Sequence, residues 1–204
     1  LRAHRDGLEA QLRELERKQL ASETLNADEK RLRAKIVASS AGEAGVIGAA
    51  DRLRAQRGIR ERFARGMEIG ARYDGRFRQI FREAGVPEDL AYLPHVESSF
   101  QASARSSVGA AGIFQFMPGT AKNYMVVHPA TDERLDPLVA AQGAARYLAD
   151  AYSRLGDWGL AITSYNHGVG GLAKARAQVG PDIGNVVWSY SGPAFGFASR
   201  NFYA

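Results

Sequence analysis

Residues 136–168 read DPLVAAQGAARYLADAYSRLGDWGLAITSYNHG, and this stretch decides the fold class. Asp136 followed by Pro137 is an N-cap with proline at the first helical position. Ala141, Ala145, Leu148, Tyr152 and Leu155 recur at helical spacing and define a buried face. Gly156 stops that helix, and Asp157 caps a second one carrying Trp158, Ala161, Ile162 and Tyr165 up to Gly168. A further helix is expected from Gly171 to about Val179, with residues 180–204 irregular.

Upstream, Phe77, Ile80 and Phe81 continue an apolar face on a long helix expected from Asp51 to Glu83. Tyr73 belongs to that face, Phe63 and Met67 form a pair before it, and Gly70 is a candidate interruption. Gly85 supplies a stop. The next helix runs from Pro87 to about Glu97 with Leu90, Tyr92, Leu93 and Val96, and Pro94 bends or tightens it. No stretch reads as a strand, so the expected class is all-α.

The first 90 residues hold 19 Lys+Arg and 15 Asp+Glu, out of 27 and 22 in the 204-residue chain. The two signs interleave, as on a solvated helical surface. Nucleic-acid binding would need a one-signed stripe, so no nucleic-acid partner is expected. Leu8, Leu12, Leu15, Leu25, Leu32 and Ile36 give residues 1–37 an apolar stripe with a break at Ser22–Asp28. Residues 38–50 are small and Gly-rich and read as a linker. The expected organisation is a helical arm and linker over 1–50 and one domain over 51–204, with a protein partner or self-association as the arm's use.

The longest uncharged runs, Ser106–Ala121 and Ile183–Ser199, are broken by Gly and Pro and are shorter than the roughly 20 residues that span a bilayer. The start at Leu1 has no apolar core of a signal peptide and reads as a fragment or processed form. Cysteine is absent, which removes thiolate chemistry and disulfides. His4, His95, His128 and His167 are scattered, so no metal site is expected.

Glu97 is the only carboxylate between Asp89 and Asp132. It ends an apolar helix and faces a loop of small polar residues. Held among apolar groups, it would have a raised pKa suited to a general acid. The competing reading is an exposed Glu at a helix end, opposed by the dipole. Around it, the Gly109–Gly112 stretch allows close backbone approach, and Ser106, Gln115, Tyr165 and Asn166 offer uncharged hydrogen bonds. Phe114, Phe116, Tyr124, Trp158 and Tyr165 offer flat faces. Trp158 reads as core, while Phe116 and Tyr165 are open between core and ligand contact. A neutral, aromatic, amide-rich cleft with one acid suits a long carbohydrate.

Glu97-Ser98-Ser99-Phe100, Gly112-Ile-Phe-Gln115 and Ser164-Tyr165-Asn166 resemble, in order and spacing, three signature motifs of family-1 lytic transglycosylases with a goose-lysozyme-like domain. Pro94-His-Val-Glu-Ser-Ser-Phe, Asp132-Glu-Arg-Leu-Asp-Pro137 and Phe195-Gly-Phe-Ala-Ser-Arg-Asn-Phe-Tyr203 resemble the membrane-bound transglycosylase D branch. Phe114 stands where the family carries Met or Trp, and Ser164 where it carries Ala. The resemblance implies a lysozyme-like helical domain with a groove. It implies cleavage of the β-1,4 bond between N-acetylmuramic acid and N-acetylglucosamine in peptidoglycan, leaving a 1,6-anhydro end.

By the same resemblance, Glu97 acts as acid and then as base. Ser106, Gln115, Phe116, Tyr165 and Asn166 bind substrate, with Tyr165 bonding Glu97 or the sugar and Asn166 ordering the helix end. Ser98 and Phe114 support them. No cofactor is implied, and the expected location is the periplasm or cell envelope of a bacterium, outer-membrane association included. A lysozyme-type hydrolase and a non-catalytic glycan-binding scaffold are the alternatives. Asp132, Glu133 and Asp136 read as turn and cap rather than as a second catalytic carboxylate.

Overall fold

In the computed structural model, residues 2–39, 41–53 and 59–203 are described. The chain divides into two compact units, Leu1–Ile59 and Arg60–Ala204.

The first unit pairs α1 (Arg2–Leu20) with α2 (Ala27–Val37). The expected break is a reciprocal cap. The Asn26 side chain accepts from the Asp28 and Glu29 amides, and Glu29 accepts from the Asn26 amide. Leu12 and Leu15 are buried. The supposed linker folds back on them, because Val46 and Ala50 are apolar enough to bury. It forms a 3-10 turn, Glu43–Gly45, and α3 (Ala49–Arg52), which packs on α1. The Gly48 amide donates to Glu16 of α1.

The helix expected from Asp51 crosses residues 54–58, which lie outside the described residues. Beyond them come α4 (Arg60–Gly70) and α5 (Asp74–Glu83), broken after Gly70 as anticipated. On α4 the pattern inverts the expectation. Phe63 and Met67 are exposed, and Gly66 and Gly70 are the buried positions. On α5, Phe77, Ile80 and Phe81 are buried as expected, and Tyr73 packs partly buried at its start.

The segment expected as one helix from Pro87 is a 3-10 turn, Glu88–Tyr92, followed by α6 (Leu93–Glu97). Proline at 94 has no amide to donate, so it sits in the first turn of α6 rather than mid-helix. Val96 and Tyr92 are exposed rather than buried. After α7 (Pro118–Ala121), strands β1 (Val127–His128) and β2 (Thr131–Asp132) pair antiparallel. Two-residue strands are too short to show alternation, which is why none was expected.

Helix α8 (Pro137–Leu155) begins as its caps dictate, with Asp136 accepting from the Leu138 and Val139 amides. It ends at Gly156, whose φ of 73° is the left-handed cap conformation. Its buried face includes Ala140, Ala141, Ala144, Ala145 and Ala151, small side chains that let neighbouring helices approach closely. It packs on α5, α9 (Trp158–His167) and α10 (Val169–Val179). Tyr152 is half out of the core, its ring stacked at 4.2 Å on Trp158.

Residues 180–204, expected as irregular, contain α11 (Ile183–Ser189) and α12 (Phe197–Arg200). Asp182 caps α11 through the Asn185 amide. The main core joins Phe77, Phe81, Ile113, Phe114 and Leu148, and a second cluster joins Leu155, Leu160, Leu172 and Val186. The class is all-α, as expected.

Candidate active site

Glu97 is the last residue of α6. The chain turns immediately after it. The Ser98 and Phe100 amides both donate to the Pro94 carbonyl, at 3.0 and 3.2 Å. Ser99 and Phe100 follow with φ of 53° and 57°, two successive non-glycine residues in the left-handed region. Such backbone costs about 1–3 kcal/mol per residue and persists only where the surroundings impose it. One restraint is Ser98, a buried residue whose hydroxyl donates to the Ile113 carbonyl at 2.8 Å. Another is Phe100, buried with its ring stacked on Phe77.

Glu97 itself is half-buried, and its carboxyl has no hydrogen-bond or ion-pair partner among the described residues. Loss of water around it pushes its pKa up to about 7. Glu97 is thus partly withdrawn from water rather than fully exposed at the helix end. The ring of His95, two residues earlier on α6, packs edge-on against Phe100 and at a tilt against Phe63. Burial holds its pKa below the usual imidazole value.

Tyr165 on α9 feels the charge of Glu97, and its own pKa is raised well above the usual value, mostly by burial. Its hydroxyl donates to the Phe114 carbonyl at 2.9 Å. Of the two partners expected for Tyr165, Glu97 or the sugar, Glu97 is not the one bonded here; the hydroxyl is on the backbone of the Gly112–Gln115 turn. Gln115 is left-handed, with φ of 49°, and its amide nitrogen donates to the Gly112 carbonyl at 2.7 Å. Phe114 is fully buried among Phe77 and Phe81. Phe116 is also buried, its ring edge-on to Tyr165 at 5.9 Å.

The Ser106 hydroxyl accepts from the Ala110 amide and so closes the 106–110 turn. Asn166 accepts from the Ser199 hydroxyl of α12, a side chain rather than the backbone partner expected for it. A cleft of about 270 Å³ opens where these segments meet. Gln115, Phe116, Thr120, Tyr165 and Asn166 are in its wall. Glu97 and Ser106 lie outside that wall.

Arg134 was not anticipated. It is buried and paired with Asp132 at 2.8 Å, and it donates to the carbonyls of Gly109 and Phe116 at 2.8 and 2.9 Å. It thereby pins both ends of the loop that carries Gln115. The close backbone approach expected around Gly112 is to the protein itself, since a Cβ at Gly112 would fall on the Arg134 carbonyl. The signal in the sequence was Asp132 two residues before Arg134, an arrangement that reads equally well as a solvated turn.

The other carboxylates of this segment are occupied. Arg134 and Arg105 hold the Asp132 carboxyl below the usual range, with the Arg134 hydrogen bond the larger cause. Glu133 accepts from the Val126 amide, and Asp136 caps α8. Among the described residues no group of three His, Asp or Glu side chains is placed to hold a metal ion.

Residues 78–185 match the transglycosylase SLT domain family. The chain is 38% identical over 121 residues to membrane-bound lytic murein transglycosylase F 2 of Alkalilimnicola ehrlichii, covering 55% of this chain and 26% of that protein. It is 34% identical over 96 residues to membrane-bound lytic murein transglycosylase D of Escherichia coli, covering 46% of this chain and 21% of that protein. A third relative, peptidoglycan transglycosylase gp16 of Escherichia phage T7, is 34% identical over 110 residues. The matched segments span about a quarter or less of these relatives' lengths. The family match runs from inside α5 to α11 and takes in Glu97, the Gly112–Gln115 turn and Tyr165. The chain belongs to the transglycosylase SLT domain family.

Proposed function

We propose that this chain is a peptidoglycan lytic transglycosylase that cleaves the β-1,4 bond between N-acetylmuramic acid and N-acetylglucosamine without water. The carrying observation is one carboxyl, Glu97, half-buried at the end of α6 without a side-chain partner among the described residues, where loss of water pushes its pKa up to about 7. Glycosidases that use two carboxyl groups hold them about 5–5.5 or 6.5–9.5 Å apart. Asp132, Glu133 and Asp136 are each committed to backbone or arginine partners.

Protonated Glu97 donates to the glycosidic oxygen as the C1–O bond breaks and positive charge develops on the muramic ring. The resulting carboxylate then takes the proton of the C6 hydroxyl of the same ring as that oxygen bonds to C1. One group serves both halves, and Glu97 ends protonated again. The nearby Tyr165 places its hydroxyl dipole along the wall, locked by Phe114.

The amide nitrogen of Gln115 is used internally, which leaves its carbonyl oxygen to accept from an N-acetyl group. Ser106 and Asn166 flank the glycan, and Phe116 shapes the cleft from beneath. Ser98 and Phe114 hold the backbone on which Glu97 and Gln115 stand. The substrate is the glycan strand of the wall, and the site is the bacterial envelope, where relatives named membrane-bound transglycosylases belong. No helix among the described residues is long and apolar enough to cross a membrane. The charged helices of residues 1–37 are the surface for a protein partner or a second copy.

Mass analysis of digested peptidoglycan tests the proposal. Muropeptides lighter by one water than hydrolysed ones are the expected product. Reducing-end muropeptides would assign a lysozyme-type hydrolase instead, and uncut glycan that still binds would assign a scaffold.

A further inference from the structure

We propose that α4 is a positioning element that holds Glu97 by bracing the three residues after it, with Gly66 and Arg62 as its contact points. This rests on the reading of Glu97 as the proton donor. Three contacts converge on consecutive residues. The Arg62 guanidinium donates to the Ser98 carbonyl at 3.1 Å. Gly66 lies so close that a Cβ there would stand 2.8 Å from the Ser99 carbonyl oxygen, a separation real side chains do not adopt. At Gly70, one turn on, a Cβ would stand 3.1 Å from the Phe100 ring. Ser99 and Phe100 are the two left-handed residues, so the brace falls where the backbone most needs holding.

The inverted pattern of α4 follows from this. Its buried face is made of glycines because backbone, not side chain, must occupy the space next to Ser99. The helix lies before residue 78, upstream of the family match, so the matched segment alone lacks the brace. Loosening it admits water to Glu97. Of the titratable groups, Tyr165 on α9 is coupled to that carboxyl, while His95 on α6 packs on Phe100 and Arg62 reaches the Ser98 carbonyl.

The test uses the 204-residue chain with Gly66→Ala, Arg62→Ala and, as control, Gly75→Ala, a helical glycine with open space around it. The Glu97 carboxyl is titrated by carbon-13 NMR, its signal assigned by its loss in Glu97→Gln. Turnover is measured on soluble peptidoglycan strands. Gly66→Ala should lower kcat at pH 7 by about a hundredfold through misplacement of the acid. Arg62→Ala, whose exposed side chain leaves folding intact, should lower it by about tenfold. In both, KM should stay within about twofold, and the Glu97 midpoint and the alkaline limb of kcat should move down together.

Gly75→Ala should match the parent. If Gly66→Ala does not fold, Arg62→Ala decides alone. Folded variants that keep the parent's midpoint and kcat would overturn the proposal, as would an ordinary glutamate midpoint in the parent. A parent that cuts no peptidoglycan but whose Glu97 midpoint still falls in the variants would sink the transglycosylase reading and leave the brace standing.

Discussion

The Tyr165 hydroxyl donates to the carbonyl of Phe114, fifty-one residues earlier, and this 2.9 Å bond ties α9 to the Gly112–Gln115 turn beside Glu97. Tyr165→Phe keeps the ring, its packing on Tyr147 and its contact with Phe116. It leaves the carbonyl without this donor. Losing the bond should cost about 0.5–1.5 kcal/mol of stability. The turnover defect should be larger than that loss explains, because the turn that carries Gln115 also accepts from Ser98, next to Glu97. Parallel urea unfolding and kcat measurements on the variant check this. A rate equal to the parent's would confine Tyr165 to packing.

Glu97→Gln should abolish both proton transfers while preserving shape, lowering kcat by at least about 10³–10⁴-fold. Peptidoglycan binding, followed by sedimentation with sacculi, should persist. Near-normal release of anhydro products by this variant would falsify the single-carboxyl mechanism.

The same variant should change the pH dependence of stability. Glu97 has its pKa raised from 4.5 to about 7 in the folded protein, so the native state binds the extra proton between those values. Stability of the parent therefore falls as pH rises through this window, and above pH 7 the full cost of a buried charge is present. The glutamine variant has no such loss. The two proteins should unfold at similar urea concentrations at pH 4 and differ by up to about 3 kcal/mol at pH 8, the variant being the more stable. Equal midpoints at pH 8 would mean that Glu97 is well solvated.

Activity of the parent should decline as pH passes upward through about 7, because the proposed reaction starts from protonated Glu97. A kcat profile still rising between pH 7 and 9 would contradict this.

Gly112→Ala should be far more damaging than its size suggests. The residue has φ of 78°, and the added methyl would land on the Arg134 carbonyl. A loss on the order of 3–5 kcal/mol is expected. Arg134→Met should cost a similar amount, about 3–5 kcal/mol, since partly buried Asp132 keeps only the longer pair with Arg105 and two loop carbonyls lose their donor. Thermal unfolding of each reads these losses. A shift under a degree or two would show that the loop relaxes freely.

The long helices were legible because their ends carry explicit chemistry. Asp136-Pro137 and Gly156 mark α8, and Asp157 and Gly168 mark α9, within the residues observed. Asp182 carries the same signal for α11, but the glycines and aromatics around it mask the helical period. Helix α4 failed for a different reason. Hydrophobic periodicity assigns Phe63 and Met67 to a core, but the space beside Ser99 admits only glycine, and periodicity does not register a missing side chain. At the site, the isolation of Glu97 was visible as a long gap between carboxylates. The partners of Tyr165 and Arg134 were not, because a hydrogen bond to a backbone carbonyl leaves no trace in the identity of the accepting residue.

The tight turn after Glu97 has a consequence for the life of the protein before it folds. In an extended chain this glutamate is an ordinary carboxylate, ionised at neutral pH, and has no proton to give. The raised pKa that the proposed donor needs arises only in the folded chain, where Ser99 and Phe100 take their left-handed geometry and water leaves the carboxyl. On the proposed mechanism, a nascent or partly unfolded copy therefore lacks its proton donor until the turn after Glu97 has formed.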